Sequence, residues 1–286
     1  MLRSSIATLA LAALCLASTT GAQAFDESKY PNLKGQWLRI PVPGVTGQPG
    51  YDPSKRGGRT QEAPLTAAYQ KIYEENLKEQ ALGGQGTDPT YTCLSPGMPR
   101  IMIYGPVEFV VTPETTHIFI EHIHDNRRIH TDGRPWPKDI EPTFAGLSIG
   151  KWVDTDGDSK YDLLEVETRN LRGPRSFDFS GIPLSSDNDT VVKERYYLDK
   201  SNPNVLILEM TTIDGALTRP WSVVRKWSRI KTVEQRPVWL EDNCTEGNGH
   251  VEIAGKGYFL SADGLLMPTR KDQEPPDLRY FNQSQK

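Results

Sequence analysis

The chain reads as a mostly β protein, an antiparallel β-barrel of eight to nine strands with one N-terminal amphipathic helix, and three observations predict it. Beyond Cys93, alternating apolar runs recur at 107–112, 116–123, 127–130, 147–153, 163–169, 190–199, 205–213 and 220–229, and a period of two is the strand period. The links between these runs are short, which favours antiparallel pairing, because a parallel crossover consumes a dozen or more residues. Eight or nine such strands can close on themselves and leave no exposed edge.

Residues 1–24 open with Arg3, continue through the apolar run IATLALAALCLA and end on Ala22-Gln23-Ala24. This is the pattern of a secretory signal cleaved before Phe25. No later segment reaches the roughly 20 apolar residues of a membrane helix, so no membrane span is expected. Residues 25–64 comprise a first strand, NLKGQWLRI from Asn32 to Ile40, and an irregular surface segment rich in Pro, Gly, Lys and Arg. Gly35-x-Trp37 resembles the opening of lipocalin-like barrels, which implies a Trp plugging one barrel end beneath an arginine from the last strand, Arg225 or Arg229. A helix follows in LTAAYQKIYEENLKEQALGG, where Leu65, Tyr69, Ile72, Tyr73 and Leu77 share one face, Thr66 caps the start and Gly83-Gly84 ends it. The body of helix plus barrel spans 65–267, and 268–286 is a polar tail.

Charge and cysteines bound the surroundings. Lys plus Arg number 33 against 37 Asp plus Glu, a net charge of −4, so nucleic acid is a poor partner. Cys15 falls within the signal behind Leu14, where a lipoprotein cleavage site wants a small residue. Processing leaves Cys93 and Cys244, which in a periplasmic or secreted protein read as one disulfide. Closing so long a loop would stabilise the fold by about 4 kcal/mol. Two buried free thiols are the alternative.

Four of the five histidines, His117, His122, His124 and His130, fall in HIFIEHIHDNRRIHTDGRPWP. Groups that titrate near neutrality there sit among Glu121, Asp125, Asp132, Arg127, Arg128 and Arg134. On a strand from 116 to 124, His122 and His124 share a face with Ile118 and Ile120, while His117, Phe119 and Glu121 face the other way. A hairpin turning at Asp125-Asn126 would pair 118–124 with 127–132 and bring in His130. Arg127 and Arg128 project to opposite faces, so only one joins the imidazoles. No further His, Cys or Glu completes a transition-metal signature, and the mixture suits acid/base work or a carboxylate or phenolate ligand. The rival reading is a structural ion-pair network of Glu121, Asp132, Arg127, Arg128 and Arg134.

A second constellation is DTDGDSKYDLLE. Asp154, Asp156, Asp158, Asp162 and Glu165 occupy positions one, three, five, nine and twelve of a calcium loop, with the Lys160 carbonyl at seven. Ser159 stands where glycine is expected for the turn. Calcium there would be structural, and no other cofactor is required. In ALTRPW, Arg219 and Trp221 share a strand face and offer a guanidinium beside an aromatic ring. No Gly-rich phosphate loop, G-x-S-x-G elbow or C-x-x-C is present.

The strings CLSPGMPRIM, EHIHDNRRIHTDGRPWP, EPTFAGLSIGKW, DLLEVETR, DNDTVVKERYYLDK, ALTRPW and EDNCTEGN together resemble a widespread family of exported bacterial proteins over residues 64–250. The resemblance implies export, the fold above, and cysteines kept at the places of Cys93 and Cys244; it implies no particular reaction. The functional expectation is an exported small-molecule-binding barrel with His122, Arg127, Arg128, His130, Arg134 and Trp221 as ligand-binding residues. As an enzyme it would be an acid/base lyase or isomerase, with His124 as base and Glu121 or Asp132 orienting a histidine. The alternative is a non-catalytic structural or interaction protein of the cell envelope.

Overall fold

All eight alternating runs are strands in the computed structural model, which describes residues 25–40, 63–81, 94–121, 125–178, 181–231, 250–253, 256–260, 265–268 and 272–274. In chain order the elements are β1 (Gln36–Ile40), α1 (Ala67–Ala81), β2 (Val107–Val111), β3 (Thr115–Ile120), β4 (Asp125–His130), β5 (Leu147–Val153), β6 (Leu163–Arg169), β7 (Arg175–Ser176), β8 (Pro183–Leu184), β9 (Val191–Leu198), β10 (Val205–Ile213), β11 (Trp221–Arg229), β12 (His250–Ile253), β13 (Lys256–Leu260) and β14 (Leu266–Pro268). Nine of them close into a barrel in the order β1-β11-β10-β9-β6-β5-β4-β3-β2. Strands β12 to β14 form a separate three-stranded sheet, and β7 with β8 a short ribbon; neither was visible as alternation. No helix among the described residues is long and apolar enough to cross a membrane.

The barrel is mixed, which corrects the expectation of pure antiparallel pairing. Strand β4 runs parallel to β5, through Ile129 opposite Ser148 and His130 opposite Ile149. The reason is the connection 131–146, long enough to carry the chain back along the barrel before β5 begins. The β3–β4 register also differs from expectation. Ile120 pairs with Asp125 and Thr115 with His130, so Asp125 and Asn126 belong to the paired strand rather than to the turn.

Following strand directions around the barrel sorts its connections into two ends. One end gathers the start of β1, the β2–β3 turn, the β5–β6 loop and the β9–β10 turn. Here the ring of Trp37, fully buried, lies 4.2 Å beneath the Arg229 guanidinium, and its Nε1 donates to the Leu33 carbonyl at 2.9 Å. Arg229 also donates to the carbonyls of Lys34 and Asn32. Of the two candidates, Arg229 is thus the arginine over the tryptophan, and Asn32–Leu33 precede the strand rather than belonging to it.

The opposite end receives the 94–106 segment, Glu121, the stretches 170–178 and 181–190, and the 214–220 turn. It is plugged with apolar side chains, among them Met98, Ile101, Met102, Phe177 and Ile182, all at most 1% exposed. Gly97, at φ +59°, sets the path of this plug, because a Cβ there would collide with the Phe144 carbonyl oxygen. Helix α1 docks at the same end through the Leu65–Leu217 bridge and the Thr66 amide on the Ala216 carbonyl at 2.8 Å. Thr66 does cap it, accepting from the Tyr69 amide at 3.5 Å. Leu65, Tyr73 and Leu77 of the expected face pack on the core, joined by buried Asn76, while Ile72 is exposed. The Gly83-Gly84 stop lies outside the described residues.

Trp37→Ala removes a fully buried ring and the platform for Arg229, and is expected to cost about 3–5 kcal/mol in urea unfolding. A loss under 1 kcal/mol would contradict the plug described for this end.

Candidate functional site

Alternation carries charged groups into the barrel as well as apolar ones. On β4 Arg127 and Ile129 point inward and Arg128 outward. The Arg127 guanidinium forms a bidentate ion pair with Glu194 of β9, one arm at 2.7 Å, and donates to Tyr196 Oη at 2.8 Å and Thr168 Oγ1 at 2.9 Å. Ser148 completes the set, 3.3 Å from Arg127 and 2.8 Å from Thr168. Burial works against the arginine's charge, but Glu194 and Tyr196 together outweigh it and the pKa rises. Burial, reinforced by Glu194, pushes the Tyr196 phenol well up. Arg127 is therefore spent on Glu194 and Tyr196 rather than held ready for a ligand. Around it Ile118, Ile129, Leu164, Leu208 and Met210 fill the barrel.

The plugged end concentrates the other buried charges. Arg100, Glu121, Asp178 and Arg225 are each at most 8% exposed. Arg100 donates to Tyr104 Oη at 3.2 Å, Ser176 Oγ at 2.7 Å and the Asp178 carbonyl at 3.5 Å. Arg225 reaches the Pro99 carbonyl at 3.5 Å and lies 5.6 Å from the Phe177 ring. Phe177 in turn stacks on Trp221, centroids 4.3 Å apart. Two guanidiniums thus converge on 99–100 and 176–178 beside a pair of aromatic rings. Next to them Arg175 is closed into a clamp with Asp214, Thr190, the Ser185 carbonyl at 2.8 Å and the Leu171 carbonyl at 2.8 Å; that set is structural.

The structure brings together Glu121 and Trp221 of the residues singled out from sequence, and disperses the rest. Asp132 and Arg134 form an exposed pair at the far end, with Nε to Oδ1 at 2.9 Å, and Arg134's hydrogen bonds hold the Asp132 carboxyl down to about 2. Asp132 therefore orients no histidine, and Arg134 is occupied. Arg128 and His130 lie on the outer surface, away from the barrel interior. Trp221 is fully buried, and the guanidinium beside its stack is Arg225; Arg219 is exposed. His122 and His124 lie outside the described residues, as do Cys93 and Cys244. Sequence reading missed Arg100, Arg225 and Asp178 as site residues, and P-R in CLSPGMPRIM was the available signal.

In the β5–β6 loop, ligand oxygens of Asp154, Asp156 and Asp158 lie within 4.8 Å of one another. Asp154 accepts from the Gly157 amide at 2.7 Å and the Ser159 amide at 2.9 Å, and Ser159 takes φ +69°, the turn a glycine was expected to supply. The Lys160 amide donates to Asp158 at 2.8 Å. Asp162 is drawn instead to Thr155, and Glu165 to Lys151 at 3.0 Å and Arg195 at 4.0 Å, so three of the five carboxylates gather. Beside the loop is a cleft of about 510 Å³ lined by Tyr161, Tyr197 and Arg195, and a second of about 570 Å³ lies by Tyr30, Leu33 and Phe109.

Comparison with family models, with curated proteins and with solved structures finds no match to this chain. The site is therefore argued from its own chemistry. Arg127→Met leaves the Glu194 carboxylate buried and uncompensated and is expected to cost about 3–5 kcal/mol, whereas Arg127→Met with Glu194→Leu recovers most of it. Urea unfolding of both variants decides; a single variant as stable as the double would contradict the pairing.

Proposed function

We propose that the protein is an exported small-molecule-binding barrel whose ligand, a small organic anion with an aromatic body, is held at the plugged end. The observation that carries this reading is the convergence of buried Arg100 and Arg225 on the Phe177–Trp221 stack. A guanidinium offers a planar fork of donors that fits a carboxylate or phenolate, and such charge-assisted bonds are about twice as strong as neutral ones. The buried Phe177 and Trp221 rings supply apolar surroundings for the rest of the molecule once the plug admits it. The packed interior argues against a ligand inside the barrel wall, and the clefts at the other end contain no comparable buried pair of arginines.

Buried Glu121, at the same end, favours an acid/base lyase or isomerase as the second reading. Asp132 takes no part in it. Export to the periplasm or beyond, with Cys93 and Cys244 joined, belongs to the same proposal and rests on the leader sequence and the cysteine pair. A structural calcium on Asp154, Asp156 and Asp158 would offset their mutual repulsion. Millimolar calcium, but not magnesium, is then expected to raise Tm in the parent and not in Asp156→Asn; equal responses would contradict the ion site.

The ligand reading is tested with 1-naphthoate and its neutral analogue 1-naphthamide, followed by quenching of tryptophan fluorescence. Naphthoate is expected to bind at least tenfold more tightly, about 1.4 kcal/mol, and Arg225→Gln to erase the difference. Equal binding of the two probes, or a preference that survives in both Arg225→Gln and Arg100→Gln, would contradict it.

A further inference from the structure

The outer face of the β3–β4 hairpin carries a charged cluster that neither the barrel interior nor the plugged end uses. His117 lies directly across from Arg128, and Thr115 from His130. The two imidazoles are therefore diagonal neighbours beside one guanidinium, close enough to meet a common small ligand. Nδ1 of His117 and Nδ1 of His130 are enclosed without a hydrogen-bond partner among the described residues. A neutral ring with no acceptor at Nδ1 keeps its proton on Nε2, so each ring offers an Nε2–H donor. Arg128 is exposed, and among the described residues no carboxylate pairs with it.

The other charges nearby are committed to one another. Arg134 is clamped by Asp132, with Glu114 adding to its surroundings. On β5, Lys151 is tied to Glu165 at 3.0 Å, and the residue beside His130 is Ile149. On β2, Val110 stands next to His117. On the same face of β2, Glu108 is diagonal to His117 on the side away from β4, and toward β4 the cluster is one guanidinium with two imidazole donors.

We propose that His117, Arg128 and His130 form a binding site for a tetrahedral oxyanion, a sulfate- or phosphate-type group, on the outside of the barrel. The guanidinium supplies a fork of N–H donors and a full charge, and the two Nε2–H groups complete the cradle. Without an anion, His130 charges less readily than an ordinary imidazole, first because of burial and then because of Arg134, with Asp132 opposing and Arg128 and His117 adding. A bound dianion reverses that balance and raises the pH at which His130 takes up its proton.

Sulfate is the probe, because it remains a dianion across the working range. Long-range proton–nitrogen NMR of the imidazoles in the full chain is followed during sodium sulfate addition, with sodium chloride at matched ionic strength as reference. Both rings are expected in the Nε2–H form, to shift saturably with sulfate, and to show His130 titrating at higher pH. Arg128→Gln, an exposed change, is expected to weaken sulfate binding at least fivefold. Shifts no larger than those in chloride, or an undiminished response in Arg128→Gln, would overturn the proposal. Sedimentation with phosphatidate but not phosphatidylcholine vesicles, abolished by Arg128→Gln, would identify the oxyanion as a lipid headgroup. A sulfate response without sedimentation would identify a soluble one.

Discussion

The bidentate pair between Arg127 and Glu194 is the interaction on which the rest of the barrel depends. It joins β4 to β9, which are not neighbours, and it does so through Ser148 of β5 and Thr168 of β6. Those four strands include the parallel β4–β5 contact, which has two residue pairs and is as short as the β1–β2 seam. Hydrogen bonding along the backbone holds that seam weakly. A side-chain network across four strands holds it from within, and its cost is the desolvation of both charges, which only good geometry and full satisfaction offset.

A barrel secured through its middle has its remaining chemistry at its ends. At one end Trp37 under Arg229 closes the lumen, and the short turns there carry exposed groups such as the Asp154 to Asp158 loop. At the other, longer connections fold inward and bring Arg100, Arg225, Glu121 and Asp178 out of water beside aromatic rings. One end is closed by a tryptophan beneath an arginine, whereas the other gathers buried ionisable groups beside aromatic rings, and the ligand reading belongs there.

Strand positions were legible because a half-buried strand writes a period of two into its residues: 147–153, 163–169 and 205–213 match the observed elements residue for residue. Gly35-x-Trp37 pointed to the plug, and the opposite facing of Arg127 and Arg128 followed from alternation alone. What alternation does not encode is the partner across the lumen. Glu194 lies 67 residues from Arg127, and nothing local distinguishes it from the outward Arg195 beside it. The parallel seam is hidden because short links favour antiparallel pairing, whereas 131–146 is long enough to be a return path. The same limit explains the site: Trp221 was assigned an arginine two residues away, whereas the one that reaches its stack is Arg225, brought there by Phe177 on another connection.

Solvent exchange of the Arg127 guanidinium tests the packed, cross-tied interior most directly. In proton–nitrogen spectra of arginine side chains, a sealed interior keeps the Arg127 resonance visible at pH 8, after the exposed Arg128 signal has been lost to exchange. If the two signals vanish together as the pH is raised, water reaches the middle of the barrel and the account of its interior is wrong.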